Sequence, residues 1–267
     1  MDVFPRTVVR TRLGPISIRE RLGSGKPLVL LHGIGGNADA WRQQYDAFTP
    51  NVRVLGWDAP GYGESFTFAA EAPRVEDYAA AYVALLDALE IERATVVGHS
   101  LGGLIAACAA ALFPSRVERL ILAACSSGHA TYDKEKRESM LRTRLDALSQ
   151  GDATSYARGR VSNLLSSEPR SEVVEEAVGI MAQIKQPGFP QATRMVSAAD
   201  VLPYLPRIKA PTRVICGTAD RVTSEELNRR IAASINGADF VPVQGAGHWV
   251  FLEFPEEFNQ AVREFLQ

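Results

Sequence analysis

A chain of 267 residues, 46% hydrophobic and 22% charged, is long enough for one large core domain, or a core domain carrying an insertion, and its composition is that of an ordinary globular protein. A net charge of −2 gives no electrostatic reason to expect nucleic acid or an anionic membrane as partner, and no apolar run approaches the length of a membrane span. The opening stretch MDVFPRTVVRTRLG lacks the apolar core of a signal peptide, so a cytoplasmic location is expected; a homo-oligomer is allowed by the composition. The three cysteines, Cys108, Cys125 and Cys216, fall in apolar segments without C-x-x-C spacing and read as buried free thiols. The four histidines are scattered without His-x-x-His pairing, so neither a metal nor another cofactor is expected.

In chain order, residues 7–12 and 16–20 partly alternate around Gly14-Pro15 and predict an antiparallel hairpin at a sheet edge. Residues 27–31 are a continuous apolar strand of the kind buried on both faces. A strand at 52–57 leads into a loop dense in turn residues, where Asp58, Pro60, Gly61 and Gly63 are expected to organise backbone beneath the turn at Ser100. Apolar residues at helical spacing follow at 75–89. Residues 95–97 form a buried strand, and 101–113, rich in Ala and Leu and stopped by Pro114, form a helix. Further strands fall at 117–125, 212–216 and 238–243. Helices fill 224–235 and 255–266, the last opening on Pro255 with acids behind it.

Strands alternating with helices indicate an α/β fold on a mostly parallel sheet. The alternation stops from Tyr132 to Asp200, where only helical pattern appears, punctuated by Gly151, Pro169 and Gln186-Pro187-Gly188. Residues 132–200 therefore read as an all-helical insertion between core segments 1–131 and 201–267. Lying over the C-terminal end of the sheet, it would act as a lid, with Gly151 and Gly188 as hinges. Among its arginines, Arg137, Arg142, Arg144, Arg158, Arg160 and Arg194 read as mostly solvated surface, with one of them able to bind a substrate carboxylate.

Between the strand at 95–97 and the helix at 101–113 stands Gly98-His99-Ser100-Leu101-Gly102, a G-x-S-x-G pattern. A strand that turns into a helix within so few residues holds Ser100 at the tip in a strained conformation. Its hydroxyl is exposed, and the unsatisfied N–H groups of a helix N-terminus face the reacting atom. The strand–turn–helix context separates this motif from a chance Gly-Ser turn.

Five segments stand in order: LVLLHGIGG (28–36), GWDAPGYGES (56–65), GHSLGG (98–103), ICGTADRVT (215–223) and GAGHWVFLEFP (245–255). Together they resemble the α/β-hydrolase family over essentially the whole chain outside 132–200. The resemblance implies an eight-stranded sheet flanked by helices and a triad in the order Ser, acid, His. Ser100 is then the nucleophile, and His248, in a flexible glycine loop after the last strand, the base. Asp220, following a strand end, is the acid that holds the imidazole, with Asp133 as fallback. The resemblance also implies an oxyanion hole from the backbone N–H groups of Leu101 and Ile34. Trp41 packs helix against sheet or lines the pocket. Serine at position 100 argues against haloalkane dehalogenases and epoxide hydrolases, which carry an aspartate there. Residues 186–212 are similar to the lid end of 3-oxoadipate enol-lactonases and related esterases. The expected activity is hydrolysis of a small carboxylic ester or lactone without cofactor. Alternatives are carbon–carbon bond hydrolysis of ring-fission products, a haloperoxidase-like perhydrolase, and a non-catalytic small-molecule receptor on the same fold.

Overall fold

The computed structural model describes residues 4–149 and 152–267. The hairpin forms as expected from β1 (Arg6–Thr11) and β2 (Gly14–Arg21), paired antiparallel at one edge. The apolar runs then become β3 (Pro27–Leu31), β4 (Arg53–Trp57), β5 (Ala94–His99), β6 (Val117–Ala123), β7 (Thr212–Gly217) and β8 (Asp239–Val243). The eight strands lie in the order β1-β2-β4-β3-β5-β6-β7-β8, parallel from β4 onward. Burial on both faces accounts for the uninterrupted apolar sequences of β3 and β5, whereas the edge strand β1 has no buried residue.

Two short helical turns the sequence did not announce, Ala38–Trp41 and α1 (Arg42–Tyr45), follow β3. They are too short to show a period. Trp41 is fully buried among Leu28, Leu30 and Val54 of β3 and β4 and lies tilted over Phe251 at 4.2 Å between ring centres, so it packs its helical turn against the sheet, as expected. Next come α2 (Val75–Ala88) and α3 (Leu101–Leu112), the latter with eleven of its residues buried beneath the sheet. β6 ends at Ala123, short of the expected Cys125, because Ala124 adopts a left-handed φ of 46° and the Cys125 N–H turns to the Asn228 side chain. All three cysteines are free and buried.

Between β6 and β7 the described residues form no strand but loops and helices, among them α4 (Lys134–Ser149), α5 (Ala153–Val161), α6 (Ser171–Met181) and α7 (Gly188–Ala198). This segment rests on loops at the C-terminal ends of the strands, with α7 packing into the core cluster of α2 and α3, and α5 and α6 into the cluster on the other face. Of the two expected hinges, Gly151 lies outside the described residues. Gly188 is explained otherwise: its Cα meets Gly61 so closely that a Cβ there would stand 1.9 Å from the Gly61 carbonyl oxygen. Its missing side chain serves a contact that fastens α7 to the loop after β4. The chain closes with α8 (Glu225–Ala233), α9 (Val250–Glu253) and α10 (Pro255–Leu266). Among the described residues, no helix is long and apolar enough to cross a membrane.

Candidate active site

Ser100 stands between β5 and α3 with φ 53° and ψ −111°, a conformation that costs a non-glycine residue about 1–3 kcal/mol. Backbone bonds hold it there: its N–H donates to Ala123 O at 2.9 Å, and its carbonyl accepts from Leu104 at 3.1 Å and Ser126 at 3.2 Å. The glycines of the motif are required by close approach. A Cβ on Gly98 would lie 2.3 Å from Gly102 O, and one on Gly102 would lie 2.1 Å from Leu31 O.

The structure brings Asp220 and His248 together across 28 residues. His248 Nδ1 lies 2.9 Å from Asp220 Oδ2, with both side chains almost fully buried. The other oxygen, Oδ1, accepts from the backbone N–H of Val222 at 2.7 Å and Thr223 at 2.9 Å. Burial alone pushes this carboxyl upward. The charge and hydrogen bond of His248 and the two backbone donors outweigh it and hold Asp220 below the usual carboxylate range. Thr223, which the sequence did not single out, places its hydroxyl 2.9 Å from Ala124 O and 3.1 Å from His248 Nδ1. The same hydroxyl lies 2.9 Å from Asp220 Oδ2, so its one proton goes to either Ala124 O or the carboxylate while its oxygen faces the imidazole Nδ1–H.

The loop carrying His248 is clamped, not flexible. The His248 N–H donates to Leu164 O at 2.7 Å, and His99 Nε2 donates to the His248 carbonyl at 2.9 Å. The buried Glu253 carboxylate accepts from Gly247 N–H and Ser166 N–H, both at 2.8 Å, tying the loop to the inserted segment. Ser100 and His248 make no hydrogen bond to each other among the described residues, but both open onto the same pocket with Ile34, Val222 and Trp249. This pocket adjoins a cavity of about 370 Å³ above Ser100, walled by Leu101, His129, Arg144, Arg160 and Thr223 among others.

Leu101 is the first residue of α3, and its N–H has no helical acceptor. Ile34 lies across the pocket in the loop after β3. A Gly36 N–H to Gly33 O bond of 2.9 Å turns that loop, and the Tyr62 hydroxyl donates to Ile34 O at 2.5 Å. Beneath it, His32 Nδ1 donates to Gly33 O at 2.8 Å while Nε2 accepts from Ala59 N–H at 3.0 Å. Asp58, fully buried, accepts from Ser17 Oγ at 2.6 Å and Ala38 N–H at 2.9 Å and pairs with Arg6. The Asp58 loop thus supports the turn after β3 and not the elbow itself, a correction to the expectation. Among the described residues Asp133 makes no hydrogen bond to His248; it caps α4 through Lys136 N–H at 2.8 Å.

Burial lowers the pKa of both His32 and His99 from 6.5, His99 well below it, against the carbonyl hydrogen bonds of Gly33 and His248 that raise them. His129 falls to about 4, first through burial and then through the charges of Arg144 and Lys136. A folded pKa depressed below the unfolded one gives a stability contribution that is full above about pH 6.5 and is lost as the pH falls below it. Urea unfolding is therefore expected to show stability dropping between pH 6.5 and 4.5, by up to about 1.4 kcal/mol per pH unit for each of His32, His99 and His129. His99→Asn should flatten that slope; an unchanged slope would contradict a neutral His99.

The family pattern described as the alpha/beta hydrolase fold matches residues 26–255, and the chain belongs to the α/β-hydrolase family. The 3-oxoadipate enol-lactonase 2 of Acinetobacter baylyi is 30% identical over 242 residues, covering 90% of this chain and 88% of that one. A 2-hydroxy-6-oxononadienedioate/2-hydroxy-6-oxononatrienedioate hydrolase of Paraburkholderia phymatum is 32% identical, covering 91% and 88%. Among solved structures, a hydrolase from Pseudomonas aeruginosa PA01 superimposes with a TM-score of 0.87 at 31% identity, covering 98% of both chains.

Proposed function

We propose that this protein is a serine hydrolase that cleaves a small carboxylic ester or lactone through an acyl-enzyme, using Ser100, His248 and Asp220. One observation carries the reading. A serine held at positive φ on a helix N-terminus opens onto the same pocket as a histidine whose other ring nitrogen is fixed by a buried aspartate.

In the reaction, Ser100 Oγ attacks the carbonyl carbon as its proton passes to His248 Nε2. Asp220, kept ionised, holds Nδ1–H and stabilises the imidazolium. The carbonyl oxygen becomes an oxyanion facing the Ile34 and Leu101 N–H groups, each such donor being worth about 10²–10³ in rate. Collapse expels the alcohol, which takes the proton from Nε2. Water then attacks the acyl-enzyme, giving its proton to His248, and the second collapse releases the acid and returns that proton to Ser100. Nothing in this sequence needs a cofactor. Residues 132–200 serve as the lid on the core formed by 1–131 and 201–267, and the substrate is a small molecule that fits the cavity above Ser100.

A second reading, hydrolysis of a carbon–carbon bond next to a carbonyl, is favoured by the likeness to the Paraburkholderia phymatum hydrolase. Assays with p-nitrophenyl butyrate, an aliphatic lactone and a ring-fission dienone separate the two. Ester or lactone turnover supports the first. Cleavage of the dienone alone supports the second. Labelling of Ser100 with no turnover of any of them would indicate a receptor.

A further inference from the structure

Seven arginines fall within residues 132–200 and look alike in sequence, but the structure divides them: Arg170 reaches Glu172 at 3.6 Å on the surface. Arg142, Arg158 and Arg194 reach carboxylates at the surface, Glu138 at 3.8 Å, Glu175 at 2.9 Å and Glu71 at 2.7 Å respectively, and Arg137 reaches the Ala130 carbonyl. Arg144 from α4 and Arg160 from α5 turn inward, and both line the cavity above Ser100 and the adjoining pocket at His248. Neither makes an ion pair or side-chain hydrogen bond with another described residue, although both are partly buried. A third arginine on the wall, Arg221, is occupied with the Ser162 and Leu165 carbonyls. Among the described residues, no aspartate or glutamate lines either space.

Guanidinium groups taken partly out of water next to one another are costly unless an anion joins them. The neighbouring groups register this field: burial and then the charge of Arg160 lower Arg144, and Arg144 in turn helps depress His129. Asn163, Tyr132 and Tyr156 supply neutral donors around the pair. Two forked guanidiniums match the two oxygens of a carboxylate.

We propose that Arg144 and Arg160 form an anion subsite, which selects substrates bearing a carboxylate a few bonds from the scissile carbonyl, such as the half-ester or lactone of a dicarboxylic acid. The proposal rests on the hydrolase reading for its reaction but not for its binding, so the two are tested apart. The wild type should hydrolyse mono-p-nitrophenyl glutarate with higher kcat/KM than p-nitrophenyl valerate. Arg144→Gln or Arg160→Gln should cut that preference about 10- to 100-fold, mainly through KM. Arg144→Lys should recover part of it, and added salt should weaken it. Arg158→Gln, whose side chain pairs with Glu175 at the surface, should leave both esters unaffected. Independently of turnover, millimolar glutarate should raise the melting temperature of the wild type and not of the Gln variants. Melting without glutarate shows that each variant folds, and either variant alone carries the test. Turnover of both esters with no acidic preference and no glutarate effect would overturn the subsite and leave the hydrolase intact. A glutarate effect confined to the wild type, with neither ester cleaved, would uphold the subsite and count against the reaction.

Discussion

Ser100→Ala should reduce ester turnover by a factor on the order of 10⁴ to 10⁶ while leaving the fold in place. The size of the loss follows from the role given to the hydroxyl. Without Oγ no acyl-enzyme forms, and only the donors at Ile34 and Leu101 and the binding pocket remain to assist water. Stability should change little, because the position is set by its backbone. The three hydrogen bonds from Ser100 N–H and to Ser100 O involve no side-chain atom. Steady-state kinetics with p-nitrophenyl butyrate, together with a urea melt, check both halves. A residual activity above about one part in a hundred would assign the chemistry to another group.

Gly102→Ala should destabilise the protein by about 3 kcal/mol or more, a large part of the roughly 5–15 kcal/mol that a domain commands. Helix propensity predicts the opposite sign, since alanine is favoured over glycine in a helix by about 0.8–1 kcal/mol. What decides is that the added Cβ would meet the backbone carbonyl oxygen of Leu31 at 2.1 Å, where neither β3 nor α3 can withdraw. Gly179 in α6 is the matched control. It has open space around a Cβ, so Gly179→Ala should stabilise by a few tenths to about 1 kcal/mol. Equal and stabilising effects at both positions would mean that the elbow is looser than its geometry.

The elements that build this site were the most legible part of the chain. Apolar runs at 27–31 and 95–97 and the Ala/Leu helix behind Ser100 carry local patterns that burial on both sheet faces imposes. The order of Ser100, Asp220 and His248 was legible only through resemblance, as nothing local joins an aspartate to a histidine 28 residues away. Residues that hold the site without reacting were not legible. Thr223, Glu253 and His99 act through hydrogen bonds to distant backbone and side-chain groups, such as the His99–His248 contact across 149 residues, and such contacts leave no period in the sequence. The glycines around His248 suggested mobility, whereas Leu164, Glu253 and His99 fasten that loop. Arg144 and Arg142 could not be told apart in a helix as charged as KEKRESMLRTRLDALS, because charge on every side hides the inward face.

Covalent labelling with a fluorophosphonate, read by peptide mass spectrometry, tests the central claim most directly. The triad predicts one adduct per chain on Ser100, lost in Ser100→Ala and strongly slowed in His248→Ala and Asp220→Asn. No adduct on the wild type, or an adduct on another residue with Ser100 unmodified, would contradict it.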